Sequence, residues 1–158
     1  MILTAHQPVY LPWCGLFHKI AMADTFVLFD DVRYTPRSFE NRNRLWTSRG
    51  PQWLTVPVHH KRDTIIKDVR INNSLPWARK HWKSIWQSYH KAPHFYGSLE
   101  ATLEWMYEDQ PWDKLATLNE RLLSLLLDEL QISVEILKAS DYQFTGTKSA
   151  LVLEMCQR

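Results

Sequence analysis

The sequence is poor in features that mark several common classes of protein. Its only cysteines, Cys14 and Cys156, lie at opposite ends of the chain with no CxxC pair, which indicates neither a disulfide framework nor a zinc knuckle and favours a reduced, cytoplasmic setting. Because no window approaches about 18 apolar residues and the amino terminus lacks a basic segment, we expect neither a membrane span nor a signal peptide. The 19 basic and 17 acidic residues nearly balance, so no nucleic-acid partner is expected.

The usual signatures of nucleotide, zinc and serine-hydrolase sites are also missing. The sequence has no GxGxxG, GxxxxGK[ST], HExxH or GxSxG motif, so it identifies no cofactor and predicts no metal site. Aromatic and ring-bearing residues are plentiful instead, with eight Trp and seven His against only four Gly. So many large rings in a short chain require either a sizeable core or a cleft that they line.

Apolar runs and turn residues predict an α/β fold with a Rossmann-like layered sheet and an inserted helical and antiparallel portion, in one domain over residues 1–158. Strands are expected over residues 2–5, 25–29, 53–58, 64–71 and around 132–136. A helix is expected over 12–22, and an ordered loop with short extended pieces is expected over 32–50. Further helices are expected to begin near Trp77, Ser98 and Asp113. The last helix would reach the final residue without a terminating signal, so we expect a longer domain that continues into further strand–helix units.

The segment His6-Gln7-Pro8-Val9-Tyr10-Leu11-Pro12-Trp13 joins the first strand to its helix. In open α/β folds ligands bind at this edge, because backbone N–H groups and the helix dipole point towards it. His6 and Gln7 would lie on that rim, where a histidine can act as a general base, donate to phosphate or simply be satisfied within the loop. His18, further along the helix, fits a structural or supporting role.

Asp30 and Asp31 follow the second predicted strand. Two adjacent carboxylates can bind a metal, accept sugar hydroxyls or act as a base, or they can pair with Arg33 or Arg37. Because adjacent strand-end residues point in different directions, only one of the two is expected to face a given ligand.

Two further patterns combine polar groups with rings. The run from Arg37 to Arg44 suits phosphate and polyhydroxyl groups, because arginine binds oxyanions bidentately and asparagine both donates and accepts. On the helix after Trp77, the residues His81, Trp82 and Tyr89 recur at helical spacing, which favours a core face over a stacking platform. His81 is the exception at that spacing and is a candidate for binding.

The segments AHQPVYLPWCGLFHKIAMADTFVLFDDVRYTPRSFENRNRL and WLTVP, followed by W…KHW…Y…AP, resemble the WbqC-like family over nearly the whole chain. That resemblance implies an association with bacterial O-antigen and other surface-polysaccharide loci. It implies transfer of an acyl or aminoacyl group, such as glycyl, to the amine of a sugar nucleotide. Family members are typically longer, which agrees with the expectation of a truncated chain.

The family motif and the residue patterns together give a set of candidate site residues. The catalytic candidates are His6, Asp30 and Asp31. The substrate-binding candidates are Gln7, Tyr10, Trp13, His18, Arg37, Asn41, Arg42, Asn43 and His81. We expect a cytoplasmic transferase in which arginines hold phosphate, asparagines hold sugar hydroxyls, and His6 or Asp30 deprotonates the attacking amine. The oligomeric state is left open.

Two other hypotheses fit the same residues. One is nucleotidyl transfer on a HUP-type Rossmann-like fold, although the HxGH spacing of such enzymes is absent. The other is a binding module or degenerate fragment without catalytic activity, in which the missing carboxyl-terminal segment would be the supporting feature.

Overall fold

A computed structural model describes residues 1–142, 144–146 and 149–157 and contains seven strands and five α-helices in those ranges. The strands are β1 (Leu3–His6), β2 (Thr25–Leu28), β3 (Arg42–Thr47), β4 (Gly50–Thr55), β5 (Val58–His59), β6 (Arg70–Ile71) and β7 (Glu135–Lys138). The helices are α1 (Cys14–Ala21), α2 (Trp77–Tyr89), α3 (Ser98–Glu104), α4 (Leu115–Glu129) and α5 (Ser149–Gln157). Short 3-10 turns cover Ile66–Asp68 and Ala139–Asp141, and a π-helical turn covers Trp105–Asp109.

A three-stranded parallel sheet with the order β1-β2-β7 forms one part of the fold. All four residues of β2 are buried, as expected for a central strand that is covered on both faces. His6, Leu28 and Lys138 are aligned in the register of the three strands, so the carboxyl ends of the strands meet at one edge. The mixed α/β prediction, with a parallel sheet and a helical and antiparallel insertion, is confirmed at this level.

Two small antiparallel pairs, β3-β4 and β5-β6, belong to the long connection between β2 and β7. Over 32–50 we expect a loop with short extended pieces, but from Arg42 onwards the chain forms a regular six-residue strand. Strand β3 pairs with β4 across a tight turn that ends at Gly50, whose φ is +101°. The strand expected over 64–71 is wrong for most of its length. The segment Ile66–Asp68 is a 3-10 turn there, and only Arg70 and Ile71 form a strand.

Helices α3 and α4 begin at Ser98 and Leu115, close to the starts expected at Ser98 and Asp113. Neither residue caps a helix with its side chain: Ser98 is the first residue of α3 and donates to Glu129, while Asp113 pairs with Arg70. No helix of the described residues is long and apolar enough to cross a bilayer.

Helix α4 joins the two main parts of the core. Its Leu118, Leu122 and Leu125 pack with the hairpin and α2, whereas Leu123 and Leu127 pack with α1 and the parallel sheet. The ring-bearing face of α2 is buried as predicted at Trp77 and Trp82. Trp86 does not belong to that core: it is exposed, stacks on His90 and donates from Nε1 to Glu100.

Candidate functional site

The loop between β1 and α1 is fixed to the rest of the protein by Tyr10. Its ring is fully buried, and its hydroxyl oxygen lies 2.7 Å from Nδ1 of His81 and 2.6 Å from the hydroxyl oxygen of Tyr107. The backbone N–H of Tyr10 donates to the carbonyl oxygen of Phe39. The loop is therefore held by α2, by the π-helical turn and by the segment that precedes β3.

Asn43 of β3 holds the same loop from the other side. Its Nδ2 donates to the carbonyl oxygens of Leu11, at 2.6 Å, and Tyr10, at 3.2 Å. These bonds secure Leu11 in a left-handed conformation, with φ at +47°, which is unfavourable for a leucine and more so for one that precedes a proline. A backbone conformation of this kind persists only where its surroundings fix it, so the loop is preorganised.

Three exposed rings and two arginines form a continuous surface beside His6, which we call the aromatic–arginine strip: Trp13, Phe39, Trp53, Arg42 and Arg44. Ring centroids are 6.4 Å apart between Trp13 and Phe39 and 6.2 Å apart between Phe39 and Trp53. Each of these rings is a little under half exposed. Contiguous exposed apolar rings are uncommon on a protein surface, so this row of three beside cations is a candidate ligand surface.

The hairpin places the two arginines over the end of this row. Their guanidinium carbons lie 4.4 Å (Arg42) and 5.4 Å (Arg44) from the centroid of Trp53. Because side chains alternate along a strand, Arg42 and Arg44 share one face of β3, and Arg44 is paired with Trp53 across the hairpin. Neither guanidinium forms an ion pair with a carboxylate in the described part of the chain, which leaves both positive charges available to an anion.

His6 lies at the other end of the strip, on the last residue of β1. Its ring meets Trp13 edge to face, with centroids 5.4 Å apart, and its Nδ1 lies 2.8 Å from the carbonyl oxygen of Gln7. A carbonyl oxygen only accepts, so Nδ1 carries the proton of this bond. In the neutral ring the lone pair is then on Nε2, which is the form that a general base requires.

The run Asn41-Arg42-Asn43-Arg44 divides into two roles. The two asparagines support the fold: Asn41 is buried and its Nδ2 donates to the carbonyl oxygen of Val56, and Asn43 holds the loop. The two arginines belong to the strip. Oδ1 of Asn41 and Nε of Arg42 are buried with no hydrogen-bond partner among the described residues, so this segment keeps unused hydrogen-bonding capacity.

Asp30 and Asp31 have partners elsewhere. Asp30 is 7% exposed, and its carboxylate accepts from the backbone N–H and the hydroxyl of Ser140, at 3.0 and 2.7 Å. Ser140 follows β7, on the side of β2 opposite to β1, so this bond directs the carboxylate away from the strand of His6. Asp31 is exposed and lies 3.1 Å from Nζ of Lys67, and the hydrogen bond between them raises the pKa of that lysine.

The remaining candidates are dispersed. His81 is buried against Tyr10, and burial lowers its pKa to about 4, so the ring is neutral at physiological pH. Gln7 is half-buried beside His6, whereas His18 is exposed on α1. Arg37 is exposed in a left-handed conformation with φ at +63°. Of the candidates, Trp13 contacts His6 and shares a cavity lining with Asn43, and Arg42 lies over Trp53 further along the strip. Asp30, Asp31 and His81 have separate partners.

Three members of the strip were absent from the sequence-based set: Phe39, Arg44 and Trp53. Arg44 could be found from alternation once β3 is recognised as a strand, because it must share a face with Arg42. Trp53 stands out less, because a tryptophan in a strand is usually assigned to the core. Among the described residues, no group of three His, Cys, Asp or Glu side chains could hold a metal ion.

The fold and this surface define the class of the molecule: a mixed α/β protein with arginines and exposed rings beside the carboxyl end of a parallel strand. The chain belongs to the WbqC-like protein family, whose model matches residues 7–158. It is 36% identical over 159 residues to the uncharacterized protein Rv1507c of Mycobacterium tuberculosis (strain ATCC 25618 / H37Rv). The alignment covers 96% of this chain and 66% of that protein, so the chain spans slightly less than two thirds of its relative. No solved structure matches the chain.

Proposed function

We propose that this chain is part of a transferase of bacterial surface-polysaccharide biosynthesis, which moves an acyl or aminoacyl group onto the amine of a nucleotide-linked amino sugar. Membership of the WbqC-like family supports the setting. The observation that carries the chemistry is the aromatic–arginine strip with His6 at its end.

A nucleoside diphosphate sugar has three kinds of group that the strip can bind: phosphates, a nucleobase and a sugar ring. Guanidinium groups pair with phosphate oxygens, and here Arg42 and Arg44 present two of them side by side. A nucleobase or a sugar ring stacks on an aromatic face, and stacking of a base contributes about 1–3 kcal/mol. In this arrangement the diphosphate lies near Trp53 and the rest of the ligand extends along Phe39 and Trp13 towards His6.

His6 then acts on the amine. An amine bound as an ammonium ion must lose a proton before it attacks an acyl carbon, and Nε2 of His6 has the lone pair to accept it. The bond from Nδ1 to the Gln7 carbonyl holds the ring in this orientation. Asp30 stays a candidate base in the proposal only if its bonds to Ser140 open, since both carboxylate oxygens are engaged.

A thermal-shift panel of uridine- and thymidine-diphosphate amino sugars with free amines tests the proposal. A ligand present at a concentration 100 times its Kd adds about 2.7 kcal/mol to the free energy of unfolding. That increase raises the Tm of a chain of this size by roughly 5–11 °C. Arg42→Ala should reduce the shift, whereas Arg49→Ala, an exposed arginine in the turn of the same hairpin, should not. No shift with any ligand at millimolar concentration would overturn the proposal.

Two outcomes would redirect it. Release of pyrophosphate from a nucleoside triphosphate would favour nucleotidyl transfer on the same surface. Binding of nucleotide sugars together with unchanged biological activity of His6→Ala and Asp30→Ala would favour a binding module without catalysis.

A further inference from the structure

A cavity lined mostly by apolar side chains adjoins the aromatic–arginine strip, and we call it the apolar cavity. Its volume is about 390 Å³, within the range of sites that hold small molecules. Leu45 of β3, Ile85 of α2, Leu103 of α3 and Phe95 are buried lining residues. The buried part of the lining is therefore apolar, and an apolar group would gain free energy by leaving water for it.

The polar lining residues of this cavity are its exposed ones. Arg44, Tyr89 and His94 are exposed, so they mark its opening to solvent. Arg44 also lines the smaller cavity that Trp13, Phe39 and Asn43 form in the strip, and Pro12 of the apolar cavity is the chain neighbour of Trp13. The apolar cavity and the strip thus meet at one arginine and at one loop, the preorganised loop of His6.

We infer that the apolar cavity is the acyl subsite: it takes the hydrocarbon chain of an acyl thioester, while Arg44 at the opening stays with the diphosphate of the nucleotide sugar. This inference rests on the proposed function and selects an apolar acyl group over a glycyl group. A glycyl group has an ammonium and no hydrocarbon chain, so it would gain nothing from a cavity of this lining.

The reaction balances with these groups and solvent. Nε2 of His6 takes the ammonium proton and releases it to solvent. The amine nitrogen then forms a bond to the thioester carbonyl carbon, whose π electrons move onto oxygen, and the neutral His6 ring accepts the next proton from that nitrogen. The carbon–sulfur bond then breaks, and the departing thiolate takes the proton from His6. The products are an amide on the sugar and a free thiol on the carrier, with no oxidation or reduction.

Calorimetric titration with acyl N-acetylcysteamine thioesters of two, four, six and eight carbons tests the inference, because these probes contain neither a nucleotide nor a phosphate that could bind the strip. Burial of each added methylene should tighten binding by up to about fourfold, and the two-carbon and eight-carbon thioesters should differ by at least about tenfold. Ala92→Phe, which fills part of the cavity from a half-buried lining position, should reduce that difference to less than about twofold. Ala101→Phe, at an exposed position on α3 outside the lining, is the control.

Arg44→Ala, which removes a charged side chain at the opening and no hydrocarbon from the buried lining, should leave the dependence on chain length intact. An unfolded Ala92→Phe would be recognised by circular dichroism, and Leu99→Trp, at another half-buried lining position, would then replace it. Equal affinity for all four chain lengths would overturn the inference. If nucleotide sugars still bind in that case, the proposed function survives; if the chain-length effect is present and nucleotide sugars do not bind, the proposed function fails and the acyl subsite stands.

Discussion

Replacing Tyr10 with phenylalanine removes one hydroxyl that two other buried groups depend on. Nδ1 of His81 and the hydroxyl of Tyr107 both lie within hydrogen-bond distance of it, and all three side chains are buried in the same core cluster or against it. Burial raises the pKa of Tyr10 and of Tyr107, so both are protonated hydroxyls and the cluster has no charge to attract water. Removal of the hydroxyl therefore leaves polar atoms without a replacement partner.

A buried polar group left unpaired costs about 1–3 kcal/mol, so Tyr10→Phe should cost roughly 2–6 kcal/mol for the two groups. At about 2–4 °C per kcal/mol, the Tm should fall by roughly 4–24 °C. Urea unfolding gives the free energy, and Tyr96→Phe, on a tyrosine that is 62% exposed, should change it by less than about 0.5 kcal/mol.

A double-mutant cycle separates the hydrogen-bonded network from simple loss of packing. Tyr107→Phe removes the partner, so Tyr10→Phe and Tyr107→Phe together should cost less than the sum of the two single changes, by at least about 0.5 kcal/mol. A loss below about 1 kcal/mol for Tyr10→Phe, or strict additivity in the cycle, would refute the claim that this cluster anchors the loop of the site.

Three further predictions concern single residues. Asp30→Ala should lower the free energy of unfolding by about 3 kcal/mol, because it removes the carboxylate that accepts two hydrogen bonds from Ser140. Asp31→Ala should lower it by less than about 1 kcal/mol, because the ion pair of Asp31 with Lys67 is exposed. Equal losses for the two variants in urea unfolding would contradict this prediction. The pKa of His81 is lowered from 6.5 to about 4, so its contribution to stability is complete above pH 6.5 and is lost as the pH falls towards 4, by about 3 kcal/mol in total. The stability difference between the wild type and His81→Gln should shrink over that range, and a constant difference would be inconsistent with a buried neutral ring. His6→Gln should lower kcat for amide formation by roughly 10²–10⁴-fold and leave the Tm within about 2 °C of wild type, and a variant with full activity would remove His6 as the base.

Much of the parallel part of the fold follows from local patterns. Two short apolar runs, at Leu3 and Thr25, flank a segment whose apolar residues recur on one helical face. These periodicities predict a strand–helix–strand unit, because each one matches the face that such an element buries. The hairpin was missed at β3 because Arg42, Asn43 and Arg44 lack an apolar alternation. Asn43 is directed inwards by hydrogen bonds to the loop carbonyls, and such long-range bonds leave no trace in local sequence.

The candidate site shows the same contrast between residues that local patterns identify and residues whose roles depend on distant partners. His6, Trp13 and Arg42 could be selected from their place after a strand and in a basic run, since residue type and position suffice there. The roles of Tyr10, Asn41 and Asp30 could not be, because a tyrosine, an asparagine or an aspartate has the same donors and acceptors in a core as in a ligand site. Only their partners, 71, 15 and 110 residues away in the chain, assign them to support of the fold.

The aromatic–arginine strip is tested most directly by the calorimetric affinity of a uridine-diphosphate amino sugar for the wild type, Trp53→Ala and Trp46→Ala. Both tryptophans lie on the same hairpin and are exposed, but Trp53 has the two arginines over its ring, whereas Trp46 is at the far end of β3 and 71% exposed. The account predicts that Trp53→Ala raises the Kd by roughly 5–150-fold, the range of one stacking contact, while Trp46→Ala leaves it within about twofold. Equal affinities for all three proteins, or a loss confined to Trp46→Ala, would contradict it.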